Sequence, residues 1–126
     1  MKLARMLLAL DAKIRYVAVN QRGVLEEMLQ GEGHPSFNPP ETDRLEELVV
    51  NPVALELFAR RGDLDLGGLR FLVVRYGLQF QLIVPWRAGH VSIGVEADGD
   101  PLAIAARAAA VLSKSLEVVM AMAPVD

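Results

Sequence analysis

Three consecutive stretches rich in β-branched and aromatic residues dominate the middle of the chain, at residues 69–76, 78–85 and 89–96. Turn-forming residues separate them, with Gly77 between the first two and residues 86–89 between the last two. The middle stretch alternates apolar and polar residues with the period of two that a half-buried strand requires. The pattern predicts an antiparallel meander of three strands, which the rest of the chain has to cover.

Two more strands are predicted before the meander. Residues 13–20 place apolar side chains on both faces, which is typical of a central strand that is covered on both sides. Gly23 suits a hairpin turn, and residues 24–28 form the return strand. Glu26 and Glu27 in this strand suit an exposed edge, because charged residues discourage pairing with another chain.

Both ends of the chain predict helices. Asp100 can cap a helix that has Pro101 in its first turn and continues over residues 102–120. The residues after Ala121 are expected to fray. At the other end, a short apolar stripe with helical spacing is formed by Leu3, Met6, Leu7 and Leu10.

A further helix is predicted between the hairpin and the meander. It follows a loop of glycines and prolines over residues 30–40, and Asn38 is placed to cap it. Pro52 interrupts the helical pattern, because proline removes a hydrogen bond and clashes with the preceding turn. We therefore expect either a kink or two short helices, with Asn51 capping the second and Gly62 ending it.

In order, these elements predict an α+β fold in a single domain over residues 1–126. Its centre is a five-stranded antiparallel sheet flanked by helices, with the element order αββαβββα. The chain is 52% hydrophobic and has a mean hydropathy of +0.29, which is high for a small soluble domain. The apolar surplus either fills an ample core or faces a partner.

Composition excludes several classes of function. The net charge is −3, from 13 basic and 16 acidic residues that are interspersed, so no basic stripe could follow a nucleic-acid backbone. The chain has no cysteine, which excludes disulfides and cysteine-ligated zinc. The apolar run after Arg5 stops at Asp11, too soon for a signal peptide, and no stretch approaches the roughly 20 apolar residues of a membrane span. We expect a cytoplasmic protein without a membrane span.

No motif predicts a catalytic, cofactor-binding or metal site. His34 and His90 have no carboxylate or second histidine at ligand spacing in the sequence, and we interpret both as surface residues. Glu96, Asp98 and Asp100 alternate as oxygen ligands of a calcium loop would, but the glutamate that should close such a loop is missing. A turn and a helix cap explain Asp98 and Asp100.

Four large side chains leave their roles open at this stage. Trp86 could anchor a partner, but half-buried packing against the loop is the simpler interpretation. Arg15, Arg70 and Arg75 lie in predicted strands, with Arg70 and Arg75 on opposite faces of one strand. Such arginines either extend along a sheet edge or form the polar rim of an interface.

The order of elements resembles the roadblock (dynein light chain) family within the profilin-like group. The residues that carry the resemblance are the strand 13–19 leading into Gly23, and the meander followed by a helix from Asp100. Residues 13–23 and the strand end at Arg75 and Tyr76 are also similar to small uncharacterised archaeal proteins of this shape.

The resemblance implies a non-enzymatic interaction module without a cofactor. Roadblock proteins form homo- or heterodimers by joining the first meander strand edge to edge and packing their middle helices together. They act as platforms or regulators for small Ras-like GTPases, or as adaptors in motor complexes. Carried over to this chain, the homodimer interface would comprise Leu48, Leu55, Phe58, Leu69, Phe71 and Val73.

A profilin- or PAS-like sensor domain is the alternative. It would hold a small molecule between the sheet and the loop 30–40, and would line a pocket with the apolar surplus. An interaction module would instead expose that surplus on an edge strand and a helix.

Overall fold

The computed structural model describes residues 2–36 and 39–121, the last six of them by their backbone alone. Its elements follow the predicted order, and the α+β class with a five-stranded antiparallel sheet is confirmed. They are α1 (Leu3–Leu8), β1 (Ile14–Gln21), β2 (Val24–Gln30), α2 (Pro40–Leu45), a π-helical turn (Glu46–Val50), α3 (Asn51–Asp65), β3 (Leu72–Arg75), β4 (Gln79–Trp86), β5 (Gly89–Glu96) and α4 (Pro101–Ala121).

The strands lie in the order β2-β1-β5-β4-β3, and each neighbouring pair is antiparallel. β1 is an interior strand and is buried along almost its whole length, as its apolar residues on both faces predict. β2 and β3 form the two edges of the sheet. In the meander β3-β4-β5, the last strand therefore pairs with β1, and the first strand forms an edge of the sheet.

The hydrophobic core lies between one face of the sheet and the helices α1 and α4. Alternate residues of β1, β4 and β5 enter it, and small side chains such as Ala105 and Ala108 let α4 approach the sheet closely. Leu7 is the fully buried member of the stripe predicted for α1, while Leu3 and Leu10 pack at its rim. The predicted stripe of α4 beyond residue 115 lies outside the described side chains. No helix in the described residues is both long and apolar enough to cross a membrane.

The opposite face of the sheet is polar where the helical segment 40–65 crosses it. Its buried residues include Tyr16, Gln81, His90 and Ser92, and the π-helical turn lies over them. α3 continues beyond this turn and contacts the turn more than it contacts the sheet. The helical segment is thus attached mainly through its middle.

The helical segment continues through Pro52, so the predicted division into two short helices with Asn51 as a cap is wrong. Asn51 has helical dihedral angles (φ −63°, ψ −47°) and does not cap a second helix. Its N–H donates to the carbonyl of Glu46, five residues earlier, which is the π-helical hydrogen bond. Because the hydrogen-bond ladder is already shifted at this turn, Pro52 falls in the first turn of α3, where its missing N–H costs little. The predicted cap Asn38 lies outside the described residues.

Gly62 does not end α3, which continues to Asp65. Gly67 and Gly68 have φ of +80° and +88°, and these left-handed positions turn the chain out of the helix. Gly62 is instead buried, and a Cβ there would lie 3.1 Å from the carbonyl carbon of Gly68 and 3.2 Å from the nitrogen of Leu69. Its role is to let the returning chain pass close to the helix.

β3 is shorter than the predicted strand 69–76. Leu72 pairs with Ile83, so the register would put residue 70 opposite Pro85. Proline has no N–H to donate, and the ladder with β4 ends before that point. Residues 69–71 therefore precede β3 without a partner strand in the described chain.

Candidate interaction surface

The helical segment 40–65 exposes a row of large apolar side chains. We call this row the exposed helix face; its members recur at helical spacing, and it comprises Leu45, Val49, Val53, Leu57 and Leu64. Val53, Leu57 and Leu64 are 62%, 65% and 79% exposed. Single exposed leucines are ordinary, but a contiguous apolar row on one helix is typical of a surface that a partner covers.

The open edge of strand β3 is a second feature that a partner could cover. It pairs only with β4, so the outward N–H and C=O groups of Leu72–Arg75 have no strand partner in the described chain. The strand is mostly apolar, whereas the other edge strand, β2, contains Glu26 and Glu27. An apolar open edge can accept another strand, while a charged edge discourages it.

The six residues predicted for the homodimer interface differ in exposure, and the interface that they would form stays a prediction. Phe58 is half exposed, and Leu48 and Leu55 line a groove of about 500 Å³ beside the β4–β5 turn. Phe71 is 37% exposed next to the edge. Val73 packs against the core on the α4 side, so its side chain faces away from the helical segment.

Sequence reasoning missed the most exposed members of this surface. Val53 and Leu64 are more exposed than Phe58, and the recurrence of apolar residues at every third or fourth position was the signal for them. The same pattern favours half-buried Leu48 and Leu55 equally, because apolar periodicity does not say which side of a helix faces the sheet.

A buried polar cluster lies beneath the π-helical turn. Glu47 is fully buried at its centre: the Ser92 hydroxyl donates to Oε2 at 2.6 Å, and His90 Nε2 lies 3.0 Å from Oε1. The Tyr16 hydroxyl lies 3.5 Å from Oε2, and Gln81 Nε2 donates to both Tyr16 and Ser92 at 2.6 Å. Burial and the Glu47 charge raise the pKa of Tyr16, so its phenol stays protonated. These five residues are the polar cluster.

His90 is only 2% exposed, so its interpretation as a surface residue is wrong. Its carboxylate partner is 43 positions away in the sequence, and only the packing of the π-helical turn on the sheet brings the two together. His90 and Ser92 bind different oxygens of one carboxylate, which is not the geometry of a nucleophile beside its base. The described residues contain no group of three or more potential metal ligands.

His34 is also held by a carboxylate, at the end of the sheet. Its Nδ1 lies 2.7 Å from Glu96 Oε1, and Arg15 binds the same oxygen at 2.5 Å. Arg15 also donates to the carbonyl of Pro35. The described part of the loop 30–40 is therefore bound to the ends of β1 and β5 and does not lie across a face of the sheet.

Four further residues that the sequence singled out have structural partners. Arg75 lies over the ring of Phe80, with 5.0 Å between its Cζ and the ring centroid. Trp86 is half-buried, as expected, but it packs against the core. Asp100 accepts the N–H of Ala103 at 3.1 Å, which confirms the cap, and Asp98 pairs with Lys13.

A cavity of about 400 Å³ lies between α2 and the β3–β4 turn. Its lining includes Asp43, Glu46, Tyr76 and Leu78, and buried Gln81 forms part of its floor. Glu46 Oε1 is buried without a hydrogen-bond partner in the described chain. Burial and the neighbouring charges of Glu47 and Asp43 raise the pKa of Glu46. We call this space the acidic cavity.

The chain has the same fold as solved roadblock structures. It superposes on a Roadblock/LC7 domain from Streptomyces avermitilis with a TM-score of 0.71 and 12% identity, covering 94% of this chain and 95% of that one. The gliding protein MglB from Thermus thermophilus gives 0.64 and 13%, with 89% and 84% covered. An MglB with a tetrameric arrangement gives 0.61 and 13%, with 90% and 87% covered.

These likenesses show a roadblock-like fold, as the order of elements predicted. No protein-family model matches the chain, and neither does any curated protein sequence. The further similarity to small archaeal proteins has no support among these structures.

Proposed function

We propose that this chain is a non-enzymatic interaction module that forms a homodimer and regulates or scaffolds a partner protein. The observations that support the proposal are the exposed helix face and the open edge of β3. The described part of a single chain leaves both without cover, and a second copy can cover each of them. Strand pairing would supply directional hydrogen bonds, and helix packing would remove apolar surface from water.

The sizes involved suit a dimer. Each large apolar side chain that becomes fully buried contributes about 1.5–3 kcal/mol, so a few per chain approach the roughly 4–15 kcal/mol that association costs. Apolar burial alone would therefore only about offset the cost of association, and the hydrogen bonds between the edge strands would add to the stability of the dimer. The tetrameric arrangement of one MglB structure supports self-association in proteins of this fold.

The partner that the roadblock resemblance implies is a small Ras-like GTPase. A joined sheet with paired helices would present a broad, rigid platform, which suits a regulator that reads the shape of its partner. Affinity purification of the tagged chain from its native cells, with GDP or a non-hydrolysable GTP analogue added, tests this. The expected result is a GTPase whose recovery depends on the nucleotide, and recovery of none in either state would contradict it.

Solution mass tests the dimer directly. We expect light scattering to give twice the monomer mass of 13.7 kDa for the wild type and the monomer mass for Leu57→Asp. Leu102→Asp is the matched control, because Leu102 is 63% exposed on α4, against 65% for Leu57 on α3. Phe71→Asp tests the strand side of the same interface. A wild type that remains monomeric at tens of micromolar would refute the proposal.

A sensor domain is the second candidate, and the acidic cavity favours it. Its volume of about 400 Å³ falls within the range of small-molecule sites. The described part of the loop 30–40 does not line it, so the sensor would hold its ligand between α2 and the β3–β4 turn instead. A thermal-shift screen with a metabolite panel would raise the melting temperature if this candidate is correct.

A further inference from the structure

Opposite charges lie at the two ends of β3. Arg70 comes two residues before the strand, is exposed, and makes no hydrogen bond or ion pair with the described residues. Beyond the other end of the strand lies the acidic cavity, with Asp43 and Glu46 in its lining. Within one chain these groups stand at opposite ends of the same edge. The charges at the ends of β3 therefore face opposite charges of a second copy only when the two β3 strands run antiparallel.

The acidic cavity lies on the face of the sheet to which the even-numbered residues of β3 point. Leu72 pairs with Ile83 and Val74 with Gln81, so the even-numbered residues of β3 face the helical segment 40–65, where Gln81 lines the cavity. An extended backbone through residues 70 and 71 would place Arg70 on this face as well. Val73 faces the core on the opposite side.

Symmetry then limits where Arg70 of a second copy can lie. Two copies of β3 joined edge to edge in antiparallel fashion are related by a two-fold axis perpendicular to the sheet, which keeps each side chain on its own face. Residues that stand opposite each other must share a face, so the axis passes beside a single residue. An axis at Val73 puts Arg70 opposite Tyr76, and an axis at Val74 puts it beyond Tyr76, beside the turn that contains Gly77 and Leu78. Both positions line the acidic cavity.

We propose that Arg70 of a second copy enters the acidic cavity and pairs with Glu46 and Asp43, so that each homodimer contains two such ion pairs between chains. This inference rests on the homodimer of the proposed function and adds the residue that selects this strand register. Directly opposite side chains in an antiparallel pair have Cβ atoms about 4.5–5.5 Å apart, which is well within the reach of an arginine.

The electrostatics of the acidic cavity agree with this assignment. Burial of Glu46 and the charges of Glu47 and Asp43 raise the pKa of Glu46. Its Oε1 has no hydrogen-bond partner in the described chain. A guanidinium provides five N–H donors and a positive charge, which would satisfy that oxygen and stabilise the ionised form. The same contact would disfavour any register that leaves Glu46 without a cation.

Charge reversal on each side tests the pair. We expect Arg70→Glu and Glu46→Lys each to weaken the homodimer by at least about tenfold, as loss of a partly desolvated interface charge pair does. Mixing the two variants should restore association, because each interface of the heterodimer then pairs opposite charges. Arg5→Glu, at an exposed arginine of α1, is the control with the same charge change and should dimerise as the wild type does.

The outcomes separate this inference from the proposed function. A monomeric wild type would overturn both. A dimeric wild type whose Arg70→Glu variant dimerises equally well, or a mixture that fails to associate, would overturn the inference alone. If Glu46→Lys does not fold, as its circular dichroism would show, Asp43→Lys at the cavity lining replaces it in the same mixing experiment.

Discussion

The Ser92 hydroxyl tests whether the polar cluster holds the π-helical turn on the sheet. It donates to Glu47 Oε2 at 2.6 Å in a site without solvent access, and Ser92→Ala removes this donor. A hydrogen bond to a charged group contributes about 1.5–3 kcal/mol. Gln81 loses one acceptor but keeps the Tyr16 hydroxyl at 2.6 Å, so its amide is not left unpaired. We expect the free energy of unfolding to fall by about 2 kcal/mol.

Urea unfolding followed by circular dichroism measures this loss. For a domain of this size, about 2 kcal/mol corresponds to a fall of roughly 5–10 °C in melting temperature. Ser113→Ala, at an exposed serine of α4, is the control and should change stability little. All samples need equal concentration, because dimerisation adds to apparent stability. A loss below about 0.5 kcal/mol would refute the reasoning, since the carboxylate would then not depend on this donor.

Two further predictions concern Glu46 and Gly62. The folded state raises the pKa of Glu46 above its ordinary value of 4.5, so the ionised form of Glu46 opposes folding above that pH. In the monomeric Leu57→Asp background, Glu46→Gln should therefore raise the melting temperature near pH 7, and this gain should vanish below pH 4.5. An equal gain at both pH values would contradict this cause. Gly62→Ala should destabilise the fold by about 1–2 kcal/mol in urea unfolding, because its Cβ would press on the backbone at residues 68 and 69. Gly77→Ala, whose Cβ would meet nothing within 4 Å, is the control, and equal effects would refute the packing argument.

The sheet could be predicted from the sequence because its signals are local. Apolar residues on both faces of residues 13–20 required an interior strand, and β1 is one. Alternation within residues 78–85 and 89–96 likewise placed β4 and β5 to within a residue or two. Each of these inferences used only the side chains of the strand itself, which is why none depended on knowing the rest of the fold.

The polar cluster could not be predicted in this way. Glu47 lies 31 positions from Tyr16 and 43 from His90, and no spacing rule connects them. In the sequence, Glu47 is simply the second of two adjacent glutamates in a segment with helical periodicity. Burial of such a carboxylate becomes tolerable only when several donors converge on it, and that convergence is a property of the assembled fold.

The middle helix shows how local signals compete. Pro52 and Gly62 both argue for interruption, yet the helical segment passes through both positions. A π-helical turn before Pro52 shifts the hydrogen-bond ladder, and two later glycines supply the left-handed turn that ends the helix. The sequence contains the residues that produce this arrangement. Which of the competing local signals prevails depends on Glu47, which holds the π-helical turn against the sheet.

The polar cluster and the candidate interaction surface are therefore parts of one arrangement. α3 has little direct contact with the sheet, so the position of the exposed helix face relative to β3 depends on the π-helical turn and on the hydrogen bonds that anchor it. A dimer that uses both a strand edge and a helix requires these two elements to keep a fixed relation, because a displaced helix would leave the strand's partner out of reach. Apolar contacts alone would let the helix slide along the sheet, whereas directional bonds to a single buried carboxylate hold one position. This gives a physical reason for placing polar residues under the helix that the dimer would use.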